Sequence, residues 1–141
     1  MGRVVLIGLL AGCASDAVPV VSIEGVDGVP EIFWDGRNVE VLNVDQDGEG
    51  WFTLAPANPS DRCDNLLNGV QGVVWGAWPT GYRTVAFDEP DRPLAIPTQL
   101  GNGDYTVGVA ECVSAAGGVR SYAQDAVARF SIVDGEVIQT E

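Results

Sequence analysis

The side chains that most often carry catalysis are missing from this chain. It has 141 residues and contains 20 Asp and Glu residues but no His and no Lys. A nucleophilic Ser, Cys or Thr usually needs such a base beside it, so triads of the usual kind are excluded. Close carboxylates remain in Asp88-Glu89-Pro90-Asp91-Arg92 and Asp61-Arg62-Cys63-Asp64, and a carboxylate pair can hydrolyse glycosides when burial raises one pKa. Both segments resemble wet loops, which favours solvated charge, and we predict neither an enzyme nor a cofactor.

A second arrangement of oxygen-bearing side chains could bind a cation. Asn43, Asp45 and Asp47 alternate along the chain and precede Gly48, as ligands do at the opening of an EF-hand calcium loop. The twelfth position of that loop should be a bidentate Glu but is Leu54, and the preceding residues favour a strand over a helix. A solvated acidic hairpin turn is therefore preferred to a calcium site.

Aromatic side chains are concentrated in one short segment. Trp75, Trp78 and Tyr82 lie within eight residues, together with Pro79 and Gly81. Exposed rings beside polar groups form the kind of surface that stacks on a glycan or another small ligand. Rings in small sandwiches more often pack in the core. We therefore favour packing and keep the ligand platform as the alternative.

The beginning of the chain has the composition of a targeting segment. A short basic start, Met1-Gly2-Arg3, is followed by the apolar run Val4 to Leu10 and then by Leu10-Ala11-Gly12-Cys13. The run is too short to span a bilayer but suits a signal peptide. Leu10-Ala11-Gly12-Cys13 resembles the lipobox of bacterial lipoproteins, which implies cleavage after residue 12 and lipidation of Cys13. The alternative is a first buried strand in a cytosolic α/β protein.

The resemblance implies an address as well as a modification. The lipid would anchor the protein in the bacterial cell envelope, and Ala14 after the lipidated residue favours the outer membrane over the inner one. Residues 13–19 would form a short tether, because Ala14 to Pro19 is small, polar and interrupted by Pro. A single domain would then occupy residues 20–141.

The cysteine count agrees with an oxidising compartment. Removing Cys13 from the three cysteines leaves Cys63 and Cys112, and a pair outside the cytoplasm favours a disulfide. The alternative is two reduced cysteines in a core. Tyr105, Val107 and Val109 alternate with smaller residues, so if they face the core Cys112 points to the opposite face. There it could fasten a covering loop that contains Cys63.

The charge balance limits the partners. The formal net charge is −13, and the seven basic residues are scattered Arg residues. Nucleic acid is therefore not expected as a partner, because binding to phosphates requires clustered Lys and Arg. Electrostatic attraction to anionic lipid is not expected either. The remaining partners are the membrane through the lipid anchor, and an envelope protein or a glycan.

Short apolar segments separated by turn residues predict an all-β domain. Asp134-Gly135 and the residues from Asp45 to Gly50 each lie between strand-like runs and predict hairpins. The other strand candidates are Val20 to Val26, Val70 to Trp75, Thr84 to Phe87 and Leu94 to Ile96. About 7–9 antiparallel strands without an amphipathic helix predict a single two-sheet sandwich.

Leu100-Gly101-Asn102-Gly103-Asp104-Tyr105 resembles the corner that enters strand F of fibronectin type III and immunoglobulin-like domains. The resemblance implies an immunoglobulin-like sandwich in which the Tyr105 hydroxyl bonds to backbone across the corner. Cys112 follows Tyr105 by seven residues, so the disulfide of antibody domains is not implied. We predict a non-enzymatic envelope lipoprotein with a structural or protein-interaction role, and a glycan-binding or calcium-binding module is the alternative.

Overall fold

The computed structural model describes residues 20–35, 39–60, 62–63, 67 and 72–140. The described residues form ten strands and one short 3₁₀ turn, Ala116–Gly118. The strands are β1 Val21–Val26, β2 Val29–Trp34, β3 Val39–Gln46, β4 Glu49–Pro56, β5 Val73–Val74, β6 Tyr82–Ala86, β7 Glu89–Pro93, β8 Gly103–Ser114, β9 Ser121–Val133 and β10 Glu136–Thr140.

Two antiparallel sheets divide these strands unequally. The larger sheet has seven strands in the order β10-β9-β8-β3-β4-β6-β7, and the smaller has three in the order β1-β2-β5. Apolar side chains from the two sheets meet in one core, which includes Ile32 and Trp75 from the small-sheet side and Phe52, Val107 and Phe130 from the large sheet. The prediction of an all-β sandwich is confirmed. The described residues contain ten strands, more than the seven to nine expected.

Asp-Gly pairs make the tight turns of three hairpins. Asp47-Gly48 joins β3 to β4 and Asp134-Gly135 joins β9 to β10, as expected, while Asp27-Gly28 joins β1 to β2. All six residues have positive φ, with Asp at 49–57° and Gly at 70–86°. A two-residue hairpin turn needs this backbone because its twist matches that of the strands.

The corner before β8 also has the expected hydrogen bond. The Tyr105 hydroxyl donates to the Gly101 carbonyl oxygen at 2.9 Å. Its ring is buried and stacks on Phe130, with 5.2 Å between ring centroids. Tyr105 therefore has a structural role that combines a satisfied hydroxyl with core packing.

The prediction of a strand at Leu94 to Ile96 is wrong. Leu94 still donates its backbone N–H to the Thr84 carbonyl oxygen at 3.0 Å, but its own carbonyl oxygen accepts from the Thr84 hydroxyl at 2.6 Å in place of a backbone N–H. The strand at this edge is β7, Glu89–Pro93, in a segment expected to be a loop. All five of its residues are exposed. Its charges and prolines suit an edge strand, because they discourage pairing with another chain.

The opposite edge of the large sheet is joined to the small sheet by a side chain. The Gln139 amide accepts from the Ile23 backbone N–H at 2.8 Å and donates to the Val21 carbonyl oxygen at 3.0 Å. Gln139 thus makes both hydrogen bonds that a neighbouring strand would offer to β1. This arrangement closes the sandwich on that side.

Candidate functional site

The side of the large sheet turned away from the small sheet is called the outer face here. In β8, Tyr105, Val107 and Val109 belong to the core. Strand alternation therefore turns Thr106, Gly108, Ala110 and Cys112 to the outer face. With three strands against seven, the small sheet packs only on the inner side, so the outer face needs another cover or remains accessible.

At one end the outer face is covered by residues 57–60 with Arg62 and Cys63, which we call the covering segment. Cys63 forms a disulfide with Cys112 across a sequence separation of 49 residues, with 5.5 Å between the Cα atoms. The predicted pairing and the outward direction of Cys112 are therefore confirmed. Val41, Ala110 and Cys112 are buried although they lie opposite the core.

A buried ion pair lies beside this disulfide. Glu40 is 0% exposed, and the guanidinium of Arg120 approaches both of its carboxylate oxygens. The Arg120 Nε donates to Glu40 Oε2 at 3.1 Å, and the Tyr122 hydroxyl donates to the same oxygen at 2.6 Å. We call Glu40, Arg120 and Tyr122 the Glu40 network. Its hydrogen bonds compensate much of the cost of burying a charge.

The Glu40 network also holds the covering segment. Arg120 donates to the carbonyl oxygens of Ser60 and Arg62, the latter at 3.0 Å. The hydrogen bond with Glu40 raises the pKa of the Arg120 guanidinium, while burial raises the pKa of the Tyr122 hydroxyl. Arg120 therefore remains charged and Tyr122 neutral under ordinary conditions. Together the network and the disulfide attach the covering segment at two neighbouring points.

Beyond the covering segment, two of the depressions formed by the described residues lie side by side on the outer face. The larger, of about 910 Å³, contains carboxylates from the β3–β4 hairpin and the start of β8, with Arg129 on β9. We call it the acidic depression, after Asp45, Asp47 and Asp104. Val127 also lines it and is 48% exposed. Carboxylates beside an accessible apolar side chain are suited to a ligand with cationic and apolar groups.

The smaller depression, of about 320 Å³, has a different character. Its walls are mostly apolar, with Val41, Ala55 and Val85 on the sheet and Pro59 from the covering segment. Arg83 is its one charged lining residue, and we call it the apolar depression. Phe87 and Asn43 line both depressions.

Phe87 separates the two depressions, and Gly50 allows it to do so. The Phe87 ring lies so close to Gly50 that an added Cβ would be 2.3 Å from a ring carbon. A side chain at position 50 would therefore push the ring away. Phe87 remains 49% exposed in this position.

The residues considered for calcium lie together at the acidic depression. Asn43, Asp45 and Asp47 all line it. Asn43 Oδ1 accepts from the Thr53 hydroxyl at 2.7 Å, and Asp47 Oδ1 accepts from the Asp104 backbone N–H at 3.2 Å. The first contact joins the two strands of the hairpin, and the second ties its turn to β8. Within the described ranges, no three His, Cys, Asp or Glu side chains are grouped to hold a metal ion.

The rings considered as a glycan platform contact the core. Trp75 is 2% exposed, and its indole N–H donates to the Pro97 carbonyl oxygen at 2.8 Å. Trp78 is half-buried and lies 5.3 Å from Trp75 between ring centroids. Tyr82 is also half-buried, and burial raises the pKa of its hydroxyl. A ligand in solvent could reach Trp78 and Tyr82, but Trp75 is covered.

The remaining candidates are exposed or lie outside the described residues. Arg92 contacts Glu89 at 2.7 Å and Asp88 at 3.9 Å, with all three side chains more than half exposed. These carboxylates are therefore solvated, as expected. Asp61 and Asp64 lie outside the described residues, and so do the signal segment, Cys13 and the tether.

The sequence did not indicate the Glu40 network or the depressions. Glu40 is a charged residue within an apolar strand, a local signal that a buried partner is needed. Arg120 is 80 positions away, so the sequence does not identify it as that partner. The depressions depend on side chains from strands that become neighbours only in the folded sheet.

Comparisons with known proteins identify no relative. No family model matches the chain, and no curated protein or solved structure matches it. In the part of the chain that the structure describes, no helix is long and apolar enough to cross a bilayer.

Proposed function

We propose that the chain is a non-enzymatic, lipid-anchored envelope protein that binds a protein partner through the acidic depression. The observation that carries this proposal is the accessible apolar side chain of Val127 in a depression of about 910 Å³ that also contains several carboxylates. Protein interfaces combine an apolar centre with a polar rim in this way. The partner should present basic groups around an apolar side chain, because opposite charges at the rim guide and orient association.

A short motif, Leu10-Ala11-Gly12-Cys13, supports the proposed anchor. This motif fits the lipobox, and a protein with a net charge of −13 gains little from the surface charge of an anionic membrane. Two or three acyl chains on Cys13 would supply the attachment, at about 0.8 kcal/mol per buried CH₂. The Tyr105–Gly101 hydrogen bond further supports an immunoglobulin-like origin for the sandwich.

A non-catalytic role agrees with the chemistry of the outer face. The chain has no His and no Lys, and the polar side chains at the acidic depression are carboxylates, hydroxyls, the Asn43 carboxamide and one guanidinium. The carboxylate of Asp104 accepts from the Ser131 hydroxyl at 2.6 Å. Such groups can bind and orient a partner without an added base.

Site-specific photocrosslinking in the native envelope tests the binding surface. A photoreactive residue at Val127 should yield one discrete protein adduct, and Asp45→Asn should reduce its yield because a rim charge is lost. Val133 is the matched control, since it lies on the same strand and is 49% exposed against 48% for Val127. No protein adduct at Val127, or equal adducts at both positions, would overturn the proposed surface.

The anchor has a separate test. The native protein should begin at Cys13 and carry acyl chains when examined by intact mass spectrometry. It should partition into detergent, and Cys13→Ser should release it from the membrane fraction. A native protein that retains Met1 would contradict the lipoprotein assignment.

A further inference from the structure

We propose that the apolar depression is a binding site for a small monocarboxylic acid with a compact apolar body. Its volume of about 320 Å³ lies at the lower end of the range for small-molecule sites. This inference is independent of the protein partner proposed for the acidic depression and of the lipid anchor.

The mostly apolar lining of the depression indicates that most of the ligand is apolar. Val41, Ala55 and Val85 come from three different strands and line the depression together with Phe87 and Pro59. Val41 and Val85 both line the apolar depression and are both buried, so their side chains form its floor. Short side chains on the floor leave room for an aliphatic or aromatic group, whose transfer from water is favourable.

Arg83, the charged residue that lines the apolar depression, indicates that the ligand carries an acid group. Arg83 is exposed, and none of the described carboxylates lies within ion-pair distance of it. By contrast, Arg92 contacts Glu89 and Arg120 contacts Glu40. Arg62 and Arg129 likewise have no ion pair with a described carboxylate, but neither lines the apolar depression, so Arg83 is the cation available to a ligand there. Its guanidinium can donate two parallel hydrogen bonds to a carboxylate.

Asn43 adds a second donor to the lining, in a different row from Arg83: the register aligns Asn43 with Thr53 and Val85, and Arg83 with Ala55. The Asn43 Oδ1 accepts from the Thr53 hydroxyl at 2.7 Å, so its amide N–H groups are the part left to donate among the described contacts. No Asp or Glu lines the apolar depression. The polar groups there consequently favour a hydrogen-bond acceptor with negative charge over an amine.

The probe for this site is 3-phenylpropionate, and its amide and amine analogues are the matched ligands. The full chain, solubilised in a non-ionic detergent, is titrated with each ligand, and the methyl NMR signals of Val41, Ala55 and Val85 are followed. Saturable shifts with the acid are expected, with the acid binding about tenfold more tightly than the amide because a charged hydrogen bond is lost. Phenylacetate, a fourth ligand that is one CH₂ shorter, should bind about fourfold more weakly than 3-phenylpropionate, because one CH₂ fewer is buried.

Two variants connect the result to the site. Arg83→Gln should abolish the preference for the acid over the amide, while Arg129→Gln, in the acidic depression, should leave that preference unchanged. Ala55→Leu should weaken all three ligands because it fills the floor. Absence of methyl shifts at millimolar ligand would overturn the proposal, as would equal binding of acid and amide or an unchanged preference in Arg83→Gln.

Discussion

Removing the guanidinium of Arg120 should destabilise the protein far more than removing an exposed arginine. The Arg120→Met variant retains an unbranched apolar side chain but leaves the Glu40 carboxylate, which is 0% exposed, without its cation. Breaking a buried ion pair by deleting one partner typically costs about 3–5 kcal/mol. Arg120 itself is only 12% exposed, so solvent screens the pair weakly and the full range applies.

The loss includes more than one ion pair. The same guanidinium donates to the Ser60 and Arg62 carbonyl oxygens, so the variant also releases the covering segment from β9. The free energy of unfolding of a domain is about 5–15 kcal/mol, so a loss of about 3–5 kcal/mol is a large fraction of it. We therefore expect Arg120→Met to be folded but marginal at 37 °C.

Urea unfolding with the disulfide intact, followed by tryptophan fluorescence, measures this effect. Arg92→Met is the matched control, because that side chain is 53% exposed and its partners are 65% and 86% exposed, so its loss should cost about 0–1 kcal/mol. A double variant with Glu40→Gln should recover part of the stability, since the unpaired charge is then removed. If Arg120→Met and Arg92→Met unfold at the same urea concentration, the assigned role of the Glu40 network is wrong.

Four further measurements test the fold and its polar groups. Cys112→Ser should lower the free energy of unfolding by about 4 kcal/mol, the chain-entropy value for a 49-residue separation, in urea titrations against the wild type with its disulfide intact. Tyr105→Phe should cost about 0.5–1.5 kcal/mol because the hydrogen bond to Gly101 is lost, and an equal melting temperature would contradict this. Trp78→Ala should cost about 2–3 kcal/mol, below the value for a fully buried ring, and a glycan screen of the wild type tests whether that ring also binds. Burial raises the pKa of all three tyrosine hydroxyls above 10 in the folded protein. The stability that their neutral hydroxyls contribute is therefore complete below pH 10 and is lost as the pH rises through the folded pKa values. Absorbance at 295 nm that shows free phenolate at pH 10 in the folded protein would refute the raised pKa values.

Local features of the fold were predictable where a few neighbouring residues determine the geometry. Asp134-Gly135 predicted its hairpin because both positions need positive φ. Asp27-Gly28 is the same kind of pair and would have predicted the β1–β2 hairpin by the same rule. Strand alternation placed Cys112 opposite the core without knowledge of the sheet order. The segment from Leu94 to Ile96 shows the limit of this reasoning, because its alternating apolar residues do not reveal that the Thr84 hydroxyl takes the place of a backbone N–H at the Leu94 carbonyl oxygen.

Long-range features were not predictable because they depend on the order of the strands. β3 pairs with β8, and the register aligns Asn43 with Gly108, yet 65 positions separate them in the sequence. The apolar depression combines Val41, Ala55 and Val85 from three strands. A sequence of short strands allows many such combinations, and only tertiary packing selects one.

The elements that stabilise the outer face also set the boundary of its ligand site. The covering segment is attached where Cys112 and Arg120 lie, and Pro59 of that segment forms one wall of the apolar depression. Tyr122 contributes to both features, since its hydroxyl donates to Glu40 and its side chain lines the same depression. A buried charge is a costly way to stabilise a domain, because an apolar replacement is often as stable. In this protein the ion pair determines position: the hydrogen bonds of Arg120 hold Ser60 and Arg62 of the covering segment. The depression begins beside them, at Pro59.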